Sequence, residues 1–264
     1  MTAPAEFTEI ADRVWVARFP WYDVNVGLVA GAAGLVVVDT NASTDLGRET
    51  LSAIRRISRA PVLAAVNTHA HFDHVLGNGV FAAEGAALLA HENAGAAIED
   101  AAHRPTRAFS SALTVDLGDR IAELVHPGRG HTDGDIVVRV AGAGAEPDVV
   151  FAGDLVEQSA MPSLGDDCFP MDWPATLDLV LTLIATDAVV VPGHGTPVDR
   201  DFVDEQRSAL GVVAETIRDL AGRGVPLEDA LGAAAWPYPV EELADAVRRG
   251  YEHLPRARRQ LPLI

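Results

Sequence analysis

Three imidazoles and a carboxylate stand within six residues, His69-Ala70-His71-Phe72-Asp73-His74, at the end of an apolar run that reads as a strand. Imidazole nitrogen and carboxylate oxygen suit zinc and related divalent ions, and donors crowded this closely must point several ways from one tight turn. His69 and His71, two apart on extended backbone, project to one side. Asp73 and His74 fall beyond the turn and can face a neighbouring position. Two adjacent metals fit this arrangement better than one, and a cluster of solvated histidines ahead of a helix is the bland alternative.

Three further candidate donors stand singly, each by a strand-like run and beside glycine, which lets the backbone turn sharply. They are His131 in Gly128-Arg129-Gly130-His131-Thr132-Asp133-Gly134-Asp135, Asp154 in Phe151-Ala152-Gly153-Asp154, and His194 in Pro192-Gly193-His194-Gly195. Alone, each is weak, because a lone buried histidine is more often a hydrogen-bonded core residue than a ligand. Together with the cluster they form a coherent donor set.

The elements that must position these donors alternate. Residues 14–17, 24–30 and 35–38 read as strands of a β-meander, and 44–58 has helical apolar spacing at Leu46, Leu51, Ile54 and Ile57. A strand over 61–67 then delivers the cluster, so a strand-helix-strand unit places it at the carboxyl end of a strand, where α/β folds put ligands. Alanine-rich 82–90 and 93–102 read as short helical pieces joined through a strand. Strands follow at 121–125, 136–140, 149–152 and 188–191, with a helix over 174–186 and further helices at 202–220 and 240–253. Two strand-rich halves flanked by helices suggest an α/β fold of two sheets packed face to face with helices outside. Residues 1–200 are expected to form this domain and 201–264 a helical extension packed on it.

Composition narrows the function. With 264 residues, 48% apolar and 22% charged, the chain can bury a sizeable core. A net charge of -18 repels nucleic acid and anionic membranes, so neither is an expected partner, while acidity alone does not identify the small-molecule substrate. The single cysteine, Cys168, permits neither an intrachain disulfide nor a Cys-rich metal site. Residues 1–20 lack a basic start and a long apolar core, and no uncharged run approaches membrane-spanning length, so a cytoplasmic location is expected. Arg256, Arg258 and Arg259 read as a helix-end or solvated cluster.

With every donor in order, residues 10–200 resemble the metallo-β-lactamase superfamily, whose pattern is His-x-His-x-Asp-His followed by His, Asp and His at strand ends. The resemblance implies an αββα sandwich in which His69, His71 and His131 hold one metal and Asp73, His74 and His194 a second, with Asp154 bridging. Two Zn2+ per chain are expected, although iron or manganese accepts the same donors. The implied chemistry is hydrolysis of an ester, thioester, lactone or amide by a hydroxide bridging the metals, with Asp73 and Asp154 as the catalytic carboxylates. No Gly-x-Ser-x-Gly is present and Cys168 has no adjacent histidine, so covalent catalysis finds no support. A mononuclear iron sulfur dioxygenase and a small-molecule phosphodiesterase are the alternatives.

Departures from the family pattern sharpen this. One class of zinc β-lactamases carries cysteine at the position of Asp154 and, three residues later, a lysine that grips the substrate carboxylate. Here that later residue is Glu157, which argues against antibiotic hydrolysis. Oxygen-reducing members have glutamate where His71 stands, and lactonases have a tyrosine just after the bridging aspartate, where this chain has Leu155, Val156 and Glu157. Trp21 and Tyr22, in the turn between the first strands, are candidates for a substrate pocket. Asp39 could orient a ligating imidazole or cap a helix. His91, His103, His126 and His253 are expected to be structural or on the surface.

Overall fold

The computed structural model describes residues 6–254, and the arginine cluster at 256–259 lies outside them. Strands β1 (Thr8–Ala11), β2 (Val14–Arg18), β3 (Asn25–Ala30) and β4 (Leu35–Val38) form the antiparallel meander. Helix α1 (Thr44–Ile57) crosses over to β5 (Val62–Val66), which returns parallel to β4. The short helices α2 (Phe72–Val75) and α3 (Asn78–Ala83), then β6 (Ala87–His91), α4 (Glu92–Ala97) and β7 (Arg107–Phe109), complete a 7-stranded sheet in the order β1 to β7. A 5-stranded sheet holds β8 (Ala112–Asp116), β9 (Ile121–Val125), β10 (Val137–Val140), β11 (Val149–Gly153) and β12 (Val189–Pro192), antiparallel except for the β11–β12 pair. Helix α5 (Trp173–Leu183) links β11 to β12, and α6 (Arg200–Gly222), α7 (Leu227–Ala230) and α8 (Ala244–His253) follow. No helix among the described residues is long and apolar enough to cross a membrane.

Side-chain alternation explains the layering. Along β4, Val36 and Val38 face the second sheet, where they meet Val138, Val149 and Phe151. Leu35 and Val37 face outward against Ile54 of α1 and Phe81 of α3. Because both faces are covered, the strand is apolar at every position. The second sheet does the same, with Val150 and Ala152 of β11 packing outward on Trp173, Leu177, Val213 and Ile217. Trp173 is fully buried, and its truncation to alanine would cost about 3–5 kcal/mol. The expected αββα sandwich is the fold.

Several local expectations fail for tertiary reasons. Residues 82–90 do not form a helix: α3 stops at Ala83 and Ala87–His91 is a strand paired with β5 and β7. Alanine's helical preference yields to a buried slot between parallel neighbours. The piece expected over 93–102 ends at Ala97, and that over 240–253 divides into a 3₁₀ turn at Val240–Glu242 and α8. Helix α1 is capped by Ser43, whose side chain accepts from the Leu46 N–H at 3.2 Å.

Candidate metal centre

The parallel pairs β4–β5 and β11–β12 bring four strand ends to one edge of the sandwich. Asp39 follows β4, the histidine cluster follows β5, Asp154 follows β11, and His194 follows Gly193 after β12. His131 lies in the loop entering β10, and the antiparallel β10–β11 pairing carries that loop to the same edge. Two stitches join the sheets there. The Ile136 N–H donates to the Thr68 carbonyl at 2.8 Å. From β3, the Asn25 amide donates to the carbonyls of Pro192 and Gly195, both at 2.9 Å.

Helix α2 begins inside the motif and carries Asp73 and His74 toward His194, with the His74 ring still 4.3 Å from that of His69. It is held by the His74 carbonyl, which accepts from the Thr40 N–H at 2.9 Å and from the Asn67 amide at 3.1 Å. Two sets of donor atoms result, each with its members within 4.8 Å of one another: His69, His71, His131 and Asp154, and Asp73, His74 and His194. Asp154 reaches both. One carboxylate oxygen, Oδ2, lies 3.4 Å from His131 Nε2 and 3.3 Å from His194 Nε2, and Oδ1 lies 3.1 Å from His74 Nε2. A β-carbon at residue 193 would stand 1.8 Å from Asp154 Oδ1, so glycine there is what lets the carboxylate occupy the midpoint.

The donors fit divalent cations. His69 Nε2, His74 Nε2 and Asp154 Oδ1 are buried without a hydrogen-bond partner, an arrangement that costs free energy unless a cation takes the lone pairs. The opposite nitrogen of each imidazole is anchored. His69 Nδ1 is 3.1 Å from Thr68 Oγ1, His74 Nδ1 is 2.8 Å from Asp39 Oδ2, and His194 Nδ1 donates to the Tyr22 carbonyl at 2.8 Å. His131 Nδ1 donates to the Ser163 carbonyl at 3.1 Å, while His71 uses Nε2 toward Asp167 Oδ2 at 2.9 Å and so presents Nδ1 to the centre. Such anchors fix ring orientation and tautomer.

Asp39 therefore orients a donor and does not cap α1. Its backbone is left-handed, with φ 62°, and its carboxylate also accepts from the Thr68 N–H at 2.8 Å and from Thr68 Oγ1 at 2.9 Å. Local strain of this kind persists where surrounding contacts impose it. Thr68, Asp167 and the carbonyls of Ser163 and Tyr22 escaped sequence reasoning.

Charge within the cluster is sorted. Burial pushes Asp154 upward, but the His74 imidazole, itself raised against burial well above its usual range by the Asp154 and Asp39 carboxylates, outweighs it and holds the Asp154 carboxyl well below its usual range. Burial lowers His69 strongly and brings His131 down to about 4, which leaves both neutral and free to donate lone pairs. For His194 burial also lowers, yet the Asp154 carboxylate prevails and raises it to about 9.

Around the centre, Trp21, Tyr22 and Phe72 are exposed by 63%, 51% and 46% and meet at near right angles, with ring centroids 5.4 Å and 4.8 Å apart. Phe72 is the residue between His71 and Asp73, and its place in this corner was not foreseen. His91 and His126 stack with centroids 4.0 Å apart and bond to the carbonyls of Ser110 and Asp135, outside both donor groups. His103 is buried near Asp100, and His253 stacks on Phe169.

Comparison with known proteins agrees with this geometry. The family model for the metallo-beta-lactamase superfamily matches residues 19–194. A type 2 metallo-beta-lactamase of Bacillus cereus is 28% identical over 183 residues, covering 67% of this chain and 69% of the relative. A hydroxyacylglutathione hydrolase of a Polaromonas species is 26% identical over 186 residues, covering 70% and 66%. The solved structure of a metallo-beta-lactamase from Pontibacter korlensis superposes with a TM-score of 0.67 at 26% identity, covering 78% of this chain and 99% of that one. Fold, donor set and sequence agree: the chain belongs to the metallo-β-lactamase superfamily of metal-dependent hydrolases.

Proposed function

We propose that this chain is a dinuclear zinc hydrolase that cleaves an ester, thioester, lactone or amide bond of a small molecule. The observation that carries the reading is the Asp154 carboxylate, which approaches imidazoles of both donor groups within 3.1–3.4 Å. Two zinc ions held there would supply hydroxide near neutral pH and polarise the scissile carbonyl. Asp73, whose Oδ2 lies 3.5 Å from His194 Nε2, would accept a hydrogen bond from the attacking water and aim it. A thiol nucleophile has no part, since burial raises Cys168 to about 12 and keeps it protonated.

The surroundings favour a substrate with an apolar group and no carboxylate. Trp21, Tyr22 and Phe72 offer ring faces beside the centre. No lysine occurs anywhere in the chain. Arg18 beside this corner is paired with Asp23 through Nε and Nη2. Glu157, three residues after Asp154, holds its carboxylate against Ser159 at 2.7 Å and offers an anionic substrate nothing. The relatives described above are named a metallo-beta-lactamase and a hydroxyacylglutathione hydrolase, and a carboxylate at Glu157 argues against the carboxylate-bearing substrate of the former.

The test is a panel of lactam, lactone, thioester, activated ester and phosphodiester substrates, run on protein purified without added metal and with metal content measured on the same sample. Two zinc ions per chain with turnover of a neutral acyl substrate is the expected result. A single iron with oxygen uptake and no hydrolysis overturns the reading.

A further inference from the structure

Metal ligation by His71 and His131 leans on one segment, residues 163–169, and that segment is clamped by the last described helix. Ser163 accepts from His131 Nδ1, and Asp167 accepts from His71 Nε2. The Phe169 N–H donates to the Gly130 carbonyl at 2.8 Å, one residue before His131. From α8, Arg249 Nε donates to the Cys168 carbonyl at 3.0 Å. Its guanidinium also lies 4.9 Å from the centre of the Phe169 ring, on which His253, one helical turn further along, stacks at 5.0 Å and 12°. The Arg129 guanidinium lies over the same ring at 4.5 Å. The helix is seated closely, since a β-carbon at Gly250 would stand 2.6 Å from Ile217 Cγ2 and 3.2 Å from Met171 Sδ.

We propose that Arg249 and Phe169 are positioning residues for the first metal, through which α8 sets the orientation of His71 and His131. The physical cause is a buried carbonyl with a charged donor. Cys168 is fully buried, so removing Arg249 frees its carbonyl to seek another partner and releases the segment on both sides of it. Phe169 couples the same helix to the loop of His131 by cation–π and stacking contacts. The second donor group has no such dependence: His74 is anchored by Asp39 and His194 by the Tyr22 carbonyl, both from the first sheet and its turns. The helix concerned lies beyond residue 194, where the family match ends.

The inference rests on the two-metal reading, and zinc titration of metal-free protein against a chromophoric chelator separates the two. Wild-type protein is expected to show two binding steps, with His131→Ala marking the step that belongs to the first group. In Arg249→Ala that step weakens about tenfold while the other moves less than twofold, and Phe169→Leu gives the same asymmetry. Arg249→Lys, which keeps an N–H donor and a cation over the ring, recovers most of the loss. The ratio between steps is the readout, because a general loss of stability does not move it. Two steps that both hold or both weaken equally in Arg249→Ala and Phe169→Leu overturn the clamp alone, whereas a single step in wild-type protein overturns the two-metal reading itself.

Discussion

The two donor groups are chemically alike and mechanically different. His74 and its anchor are sealed in the interior, with side-chain exposures of 0% for His74 and 4% for Asp39, and Asp39 sits at the end of a strand covered on both faces. His71 and its anchor stand at the rim, at 34% and 49%. A buried carboxylate holds an imidazole through an interaction that water does not screen, whereas a rim carboxylate competes with solvent. One group is thus set by the sheet itself, and the other by a loop that other elements must hold in place.

The largest expected effect removes what the groups share. Asp154→Ala should abolish turnover and weaken both metals, read as metal content and rate on one sample. Retained turnover would mean that the groups work independently. Next, Asp39→Ala strips His74 of its anchor and leaves the Thr68 N–H and hydroxyl unmatched. Metal affinity at the second group should fall by about 10–100-fold, and the metal-free protein should lose on the order of 3 kcal/mol of stability in a urea titration. An equal fall at both metals would erase the distinction between sheet-set and loop-set groups.

A smaller effect concerns the aromatic corner. If the corner binds substrate, Trp21→Ala and Phe72→Ala should raise KM several-fold for substrates with an apolar group and change kcat little, since the rings would contact parts of the substrate that do not react. Unchanged KM across the panel would remove the corner from the binding site. The smallest lies beneath the loop of His131. Asp135 is buried, and burial raises its pKa to about 7 while bonds from Thr132 oppose this. A raised carboxyl pKa in the folded state means that the favourable contribution is full below the unfolded value of 3.8 and is lost as pH rises toward about 7. Parent protein should therefore lose roughly a few degrees of Tm relative to Asp135→Asn between pH 5 and pH 8. A pH-independent difference would show that the footing of this loop does not titrate.

What could be read from the sequence follows from where the information lies. His69 to His74 is legible because its donors are side chains within one turn, and the αββα layering is legible because β-branched runs fill strands buried on both faces. The anchors are less so. The carbonyls of Ser163 and Tyr22 carry no side-chain signal, and Asp167 is one of 38 acidic residues until the fold sets it beside His71. Asp39 stood evenly between cap and anchor until Ser43 took the cap. Phe72 carries no donor atom, so within a metal-donor motif its type does not signal a place beside Tyr22. Residues 87–91 misled because alanine's local preference says nothing about which strands flank it.

The Asn25 side chain, which holds the carbonyls of Pro192 and Gly195 across 167 and 170 residues of chain, has a consequence for how the protein comes into being. During synthesis the histidine cluster emerges early, yet the loop of His194 reaches its place only after both sheets exist and have docked, and contacts of such range form late. On the two-metal reading, a nascent chain could thus engage a metal through its first histidines before either donor group is complete. Loading is expected to be sequential, with the last ion captured only by chains whose two halves have already joined.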